Sequence, residues 1–527
     1  IGGNDNLVYN SEGSGIIGSY NSGLSGGTNS VMMATSGSSM VNKRSVLLGG
    51  TNNTISSTPG YYQGIISLGY PSDFGYGASS IIGGLGNSNY GSFTSIIGGV
   101  NNKINADCSV GGSSIIGGHL NTISGDTWSS IIGGQNNEIL DGNTLLYQLD
   151  ENSIIGGDGN TISASTKSFI GGGELNDVYA SSHSFIGGGS GSTITDSDYS
   201  AIIAGGGSII SGTSYSDYSI IVGGYNNSLI ENKLGTLLGG ALNGITGTTD
   251  SCVVIGGNRN RINNTSVSAQ ASGIMVGKEN TISGGSESFI GGGRGNSILG
   301  PAVGGLEFSF IGSGQDNTII DSNNSFIGGG EDNTISASSD ASAIIGGESN
   351  VISGSSSTGA IIGGGEDNTI LGSANGVIIG GSANTISLSA TTSVNPINSA
   401  IIAGSHNTIV PANGATSTEL DGSHSAIIGG ENNLISGHTN SFIGGGSGNT
   451  ISFSPGYNAI LGGGGNKIIG GYSAIIGGEN NQWQAFSNNS AIIAGNGNGM
   501  NGSRSVVIGG QNITATTSDM VYVPDLI

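Results

Sequence analysis

Proline, cysteine and charge are all scarce in this chain: seven prolines, two cysteines and 9% charged residues in 527. Each shortage excludes a class of protein. So few prolines rule out polyproline spacers and proline-rich recognition tracts. The two cysteines, Cys108 and Cys252, are too far apart in a repetitive chain to be bridged within it, so a disulfide scaffold is excluded and both are expected to be small buried thiols. The charges are 11 basic against 34 acidic, a net of -23, which argues against nucleic acid as a partner. No stretch reaches the ~18 apolar residues of a membrane helix. The first residues, Ile1-Gly2-Gly3, begin inside a repeat with no signal-peptide pattern, and material upstream is expected.

What is present in excess is glycine, 105 residues, too many for helices and without the every-third spacing of collagen. The chain is also too apolar and too patterned for disorder. Its pattern is a repeat, Ser-x-Ile-(Ile or Gly)-Gly-Gly-x-x-Asn-x-Ile, whose positions are numbered 1 to 11 below. Residues 425–436 (SAIIGGENNLIS) are one copy and 441–452 (SFIGGGSGNTIS) the next. Central apolar residues such as Ile81, Ile96, Ile115, Ile131 and Ile154 recur at steps of roughly 15 to 26 residues, only the spacer changing length. Fainter copies precede them at Ile16-Ile17-Gly18, Leu47-Leu48-Gly49 and Leu68-Gly69.

A unit of this size holds two short strands and two turns, with Gly-Gly at the first corner and Asn as a turn-tolerant polar residue. One unit cannot bury its own face, so units must stack, and the expected fold is all-β, a parallel β-solenoid of about 25 to 29 coils. Three segments are expected: irregular coils over 1–80, regular repeats over 81–512, and an exit segment over 513–527. The second strand, as in Asn160-Thr161-Ile162-Ser163, alternates polar and apolar like a half-exposed strand. The first strand is apolar on both faces. Left uncovered, its outer side would form an apolar stripe on the order of 100 Å long, which predicts self-association with closed cyclic symmetry.

Within the first strand, positions 2 and 4 trade volume. Phe169, Phe185, Phe289, Phe310, Phe326 and Phe442 are each followed two residues later by glycine, whereas small residues such as Ser114, Ala343 and Ala474 are followed by isoleucine. Residues i and i+2 share one strand face. The close compensation places that pair in the lumen, and the uniformly aliphatic position 3, as Ile427, Ile443 and Ile475, is expected to form the seam between chains.

The phrase Ser-Ala-Ile-Ile-Gly-Gly-x-x-Asn-x-Ile-Ser, repeated over nearly the whole chain, resembles the head repeats of YadA-like trimeric autotransporter adhesins and related stretches of phage and virus fibre proteins. The resemblance implies a homotrimer of left-handed β-rolls with one coil per repeat. It departs in its longer spacers and in Gly-Gly where the family has a single Gly. The function it implies is a non-catalytic, extracellular fibre or adhesin rod on a cell or virion surface, presenting attachment to surface glycans or a protein receptor.

Catalytic look-alikes carry little weight. The glycine run Ile443 to Gly448 lacks the helix that a dinucleotide loop needs. The histidines His119, His183, His406, His424 and His438 show no metal-ligand spacing. The acids at the corner, Glu331, Asp332, Glu366, Asp367 and Glu431, are expected to face solvent, with calcium as a lesser alternative. No cofactor, metal or catalytic residue is assigned. Alternatives to the fibre are a filament or sheath subunit, a tailspike-like polysaccharide-degrading enzyme using acids such as Asp196 and Asp198, and an ice-binding solenoid. The last would use the Thr-x-Ser ladder of Thr122 with Ser124, Thr281 with Ser283 and Thr450 with Ser452, broken by Lys103, Glu138, Val351 and Leu434. Candidate partner contacts are the aromatics Tyr61, Tyr62, Tyr70, Phe74 and Tyr76, with Trp483 and Phe486. The long spacers at 141–152, 388–399 and 410–425 are expected to leave the coil at one corner.

Overall fold

The computed structural model describes residues 2–26, 29–41, 45–56, 79–91, 93–105, 112–125, 127–140, 150–212, 217–263, 271–301, 306–354, 357–387, 398–410, 424–437, 440–452, 456–483 and 487–524. Among them there is no helix; every element is a short strand, and the strands stack in parallel as a β-solenoid of about 26 turns in all. The chain divides into two compact units, Ile1–Arg259 and Asn260–Ile527.

In the first unit, Ser80–Ile82 lies between Val46–Leu48 and Ser95–Ile97, in register on both sides. A second ladder runs through Lys103–Asn105, Thr122–Ser124 and Glu138–Leu140. Between the two, position 7 forms a column of single-residue bridges, as in His119 to Gln135 to Asp158. Two of the faint early copies are real coils, Gly15–Ile17 and Val46–Leu48, and Val31–Met33, which the repeat pattern did not mark, pairs between them; they bury Ile16, Leu47 and Met32. Leu68-Gly69 lies outside the described residues.

The second unit repeats the scheme. Ala426–Ile427 pairs with Ala400–Ile401 and Phe442–Ile443, and Leu434–Ser436 with Thr408–Val410 and Thr450–Ser452. Spacer length leaves register untouched: Ile427 is 26 residues from one partner, Ile401, and 16 from the other, Ile443. The segment expected to exit the fold still pairs, Thr514–Ala515 with Gly499–Met500 and Val521–Tyr522 with Val506–Val507.

Which residues point inward follows one parity. Positions 3 and 11 are fully buried, for example Ile427 with Ile435 and Ile443 with Ile451. Position 1, mostly serine, and position 9, mostly asparagine, are buried beside them, as Ser425 and Asn433. The asparagine is therefore no ordinary turn residue. Asn433 Nδ2 donates to Gly429 O at 3.1 Å within its own coil, to Gly446 O at 3.0 Å in the next coil and to Asn407 Oδ1 at 3.0 Å in the previous one. Its Oδ1 accepts the backbone N–H of Asn449 at 3.1 Å. One carboxamide thus satisfies corner groups that burial would otherwise leave unpaired, and couples three successive coils.

The same side chain explains the corner glycine. Gly430 has φ near 90°, and a Cβ there would stand 2.7 Å from Asn433 Nδ2. Where position 9 is asparagine, position 6 is glycine for both reasons; in the early coils with Ser22 and Ser38 at position 9, Ser19 and Thr35 stand there instead. Position 5 is constrained only in some coils: φ is 76° at Gly98, 72° at Gly223 and 68° at Gly509, but around Gly380, Gly462 and Gly477 a Cβ would meet nothing, and Ala204, Val276, Ser313 and Ala403 occupy the same place in other coils.

Candidate functional site

The outward parity of the first strand is apolar and unprotected. Position 4 holds Ile82, Ile97, Ile116, Ile132 and Ile155 in successive coils of the first unit, all two-fifths exposed or more. In the second unit, positions 2 and 4 expose Met275, Phe326, Ile345, Ile361, Ile379, Ile428, Phe442, Leu461, Ile476 and Ile508, between 37% and 55%. Large apolar side chains bury on the order of 150–250 Å² each, so half-exposing ten of them leaves roughly 800 Å² of apolar surface in that unit. That exceeds the few hundred Å² usual on a soluble monomer and equals one partner's share of a standard protein interface, about 800 Å².

This parity corrects the expected seam. Ile427, Ile443 and Ile475 have no solvent exposure in the single chain and line the lumen, so they are not placed to meet another chain. The corner turns immediately after position 4, and the closed coil takes position 3 inward together with the buried position 1. Positions 2 and 4 do share a face, as the volume exchange requires, but it is the outer one.

The exchange has a direct cause there. Phe169 and Phe185 stack with ring centroids 5.3 Å apart; Phe289, Phe310 and Phe326 stack at 5.6 and 5.4 Å. Four of these rings, Phe169, Phe185, Phe310 and Phe326, lie along their own strands over the following glycine, so that a Cβ on Gly171, Gly187, Gly312 or Gly328 would approach the ring's Cε1 to 3.1–3.4 Å. A Cβ on Gly171 would also stand 2.5 Å from Gly187 O in the next coil, and one on Gly444 2.6 Å from Leu461 O. Phenylalanine therefore both requires and shields the glycine. Ile361 with Gly363 is another such pair.

The remaining candidates scatter. Tyr61, Tyr62, Tyr70, Phe74, Tyr76 and Phe486 lie outside the described residues, as does most of each long spacer. Trp483 is not a surface contact: it is 1% exposed, occupies the inward position 11 and donates its Nε1 hydrogen to Ser487 O at 3.1 Å. A tryptophan fits there because its one polar atom finds a partner. Of the two thiols, Cys252 is buried in place of the position-1 serine, and Cys108 is outside the described residues. The corner acids Glu331, Asp332, Glu366, Asp367 and Glu431 are exposed, and Gln315 donates to Glu331 Oε1 at 2.9 Å. Among the described residues no three His, Cys, Asp or Glu side chains are grouped to hold a metal. Asp198 accepts the Ser182 N–H at 2.6 Å and so serves a turn. Residues after the glycine run at 443–448 form the strand Thr450–Ser452.

Sequence reasoning missed an aromatic column at the corner before the first strand. His183, Tyr199 and Tyr218 stack at 4.6 and 4.9 Å in successive coils, each with positive φ. In-register stacking was readable only once the spacers were aligned on their serines. No family model matches the chain, and no curated protein matches it.

Proposed function

We propose that the chain is a non-catalytic, extracellular structural fibre in which copies associate along the outward face of the first strands and project or present attachment to a cell surface or host receptor. The apolar ladder on positions 2 and 4 is the observation that carries this reading. Water exclusion from a stripe repeated at every coil favours a parallel, in-register partner, and identical copies supply one at every position. Three copies about one axis cover the outward first-strand ladder of every copy, and the resemblance of the repeat to YadA-like trimeric heads supports that number. The acidic outer corners keep such a rod soluble.

Mass photometry or light scattering on the purified chain tests the assembly. About three times the chain mass of 51.8 kDa is expected. Ile379→Asp with Ile428→Asp, both solvent-facing in the single chain, should release folded monomers. A soluble, monodisperse wild-type monomer would overturn the proposal.

A further inference from the structure

The outward face of the second strand carries its charges in different places in the two units. In the first unit it carries Lys103, Glu138 and Asp177 among its threonines. In the second unit Arg261 and Lys467 bound a stretch of ten successive strands, from Thr281–Ser283 to Thr450–Ser452, with no charged residue at either outward position. For a chain with a net charge of -23, that is an unusual surface to leave bare. Carboxylates beside it, Glu279, Asp316, Asp332 and Asp367 on one side and Asp321 on the other, belong to the turns.

The leading outward position is threonine in seven of these strands: Thr281, Thr318, Thr334, Thr369, Thr385, Thr408 and Thr450. Pairing is in register, with Thr318 opposite Thr334 and Thr369 opposite Thr385, itself opposite Thr408. The interruptions Val351 and Leu434 are apolar and pair in the same register. Each threonine presents a methyl group that water must cage and a hydroxyl that can join the cage. Coils repeat at about 4.8 Å along the face and outward residues at about 6.6 Å across it, intervals comparable to oxygen repeats in ice. A charge would orient water about itself and break such an arrangement. A protein partner is a poor occupant, because the face holds no Trp, Tyr or Arg anchor over ten coils.

We propose that this face, residues 281 to 452 of the second unit, binds ice. The proposal does not depend on how the first strand associates. Thermal hysteresis and incorporation of fluorescently labelled chain into a slowly grown ice hemisphere test it. The wild-type chain should show a freezing gap with faceted crystals and should enter the ice. Thr369→Lys with Thr385→Lys, on half-buried outward strand positions, should lose most of the gap while circular dichroism and assembly mass stay unchanged; Thr122→Lys in the first unit should keep it. Exclusion of the wild type from ice, or equal loss in Thr122→Lys, would overturn the proposal. So would a change in assembly mass caused by the double variant, which would make the face an interface between copies.

Discussion

The two units are built from the same coil but differ in one inward column. In the second, asparagine fills position 9 from Asn260 and Asn280 through Asn498, all fully buried. In the first, Ser192 and Ser208 interrupt the column between Asn176 and Asn227, and both hydroxyls are buried without a hydrogen-bond partner. A serine is too short to reach the corner carbonyls that the carboxamide reaches; φ is 118° at Gly189 and 139° at Gly205, against 93° to 96° at Gly330, Gly347 and Gly365, although Gly277, which faces Asn280, also stands at 121°. Fold and register survive the interruption, so they are set by the aliphatic positions 3 and 11. The asparagine column adds stability.

Breaking the intact column should have the largest effect. Asn350 bonds Gly346 O, Gly365 O and Asn333 Oδ1, and accepts from Asn368 N–H. Asn350→Ala leaves Gly346 O and the Asn368 N–H without these partners, while Gly365 O keeps the Glu348 N–H and Asn333 Oδ1 keeps the Asn350 N–H, and should lower local stability by about 2–4 kcal/mol. Hydrogen exchange at the flanking coils is the suitable readout, because a solenoid opens locally. Mending the broken column is the converse experiment. Ser192→Asn with Ser208→Asn should raise stability by about 1–2 kcal/mol in thermal unfolding, the gain of two buried hydroxyls replaced by bonded carboxamides; no gain would mean that the carboxamide bonds merely replace water.

A smaller effect is expected on the outer face. Phe310 stacks on both Phe289 and Phe326, and Phe310→Ala should cost about 1–2 kcal/mol in chemical denaturation. Adding Gly312→Ile should worsen the loss, since a Cβ there also meets the backbone of the following coil. The smallest is electrostatic. Partial burial raises the Asp177 carboxyl above its ordinary range, on a ladder whose neighbours are Thr161 and Thr193. Its ionised form is disfavoured in the folded state, so stability should fall slightly as pH rises through the carboxylate range, and Asp177→Asn should remove that slope.

Much of this architecture was legible in the repeat. The parallel solenoid, the alternation of Thr-Ile-Ser, the corner acids and the shared face of positions 2 and 4 all follow from spacing and side-chain size. The inward parity did not. Volume compensation between Phe and Gly looked like lumen packing, yet compensation also arises where a ring lies flat over its own strand. The better sign was monotony: positions 1, 3, 9 and 11 barely vary from coil to coil, whereas 2, 4, 10 and 12 do. Lumen positions meet the same neighbours in every coil, and outward ones do not. The asparagine ladder escaped notice because an asparagine beside two glycines has the composition of an exposed turn. The partner aromatics between 61 and 76 and the long spacers have no repeat pattern by which to be placed.

Adjacent cysteines test the central claim, that position 4 faces outward to another chain and position 3 inward. In a background with Cys108→Ser and Cys252→Ser, Ile476→Cys and Ile475→Cys should be compared under mild oxidation on non-reducing gels. Ile476 is 48% exposed and Ile475 fully buried. Covalent dimers from Ile476→Cys, with Ile475→Cys unlinked and unreactive to thiol reagents until unfolded, are the predicted result. Crosslinks through Ile475→Cys, with Ile476→Cys remaining monomeric and freely labelled, would contradict it.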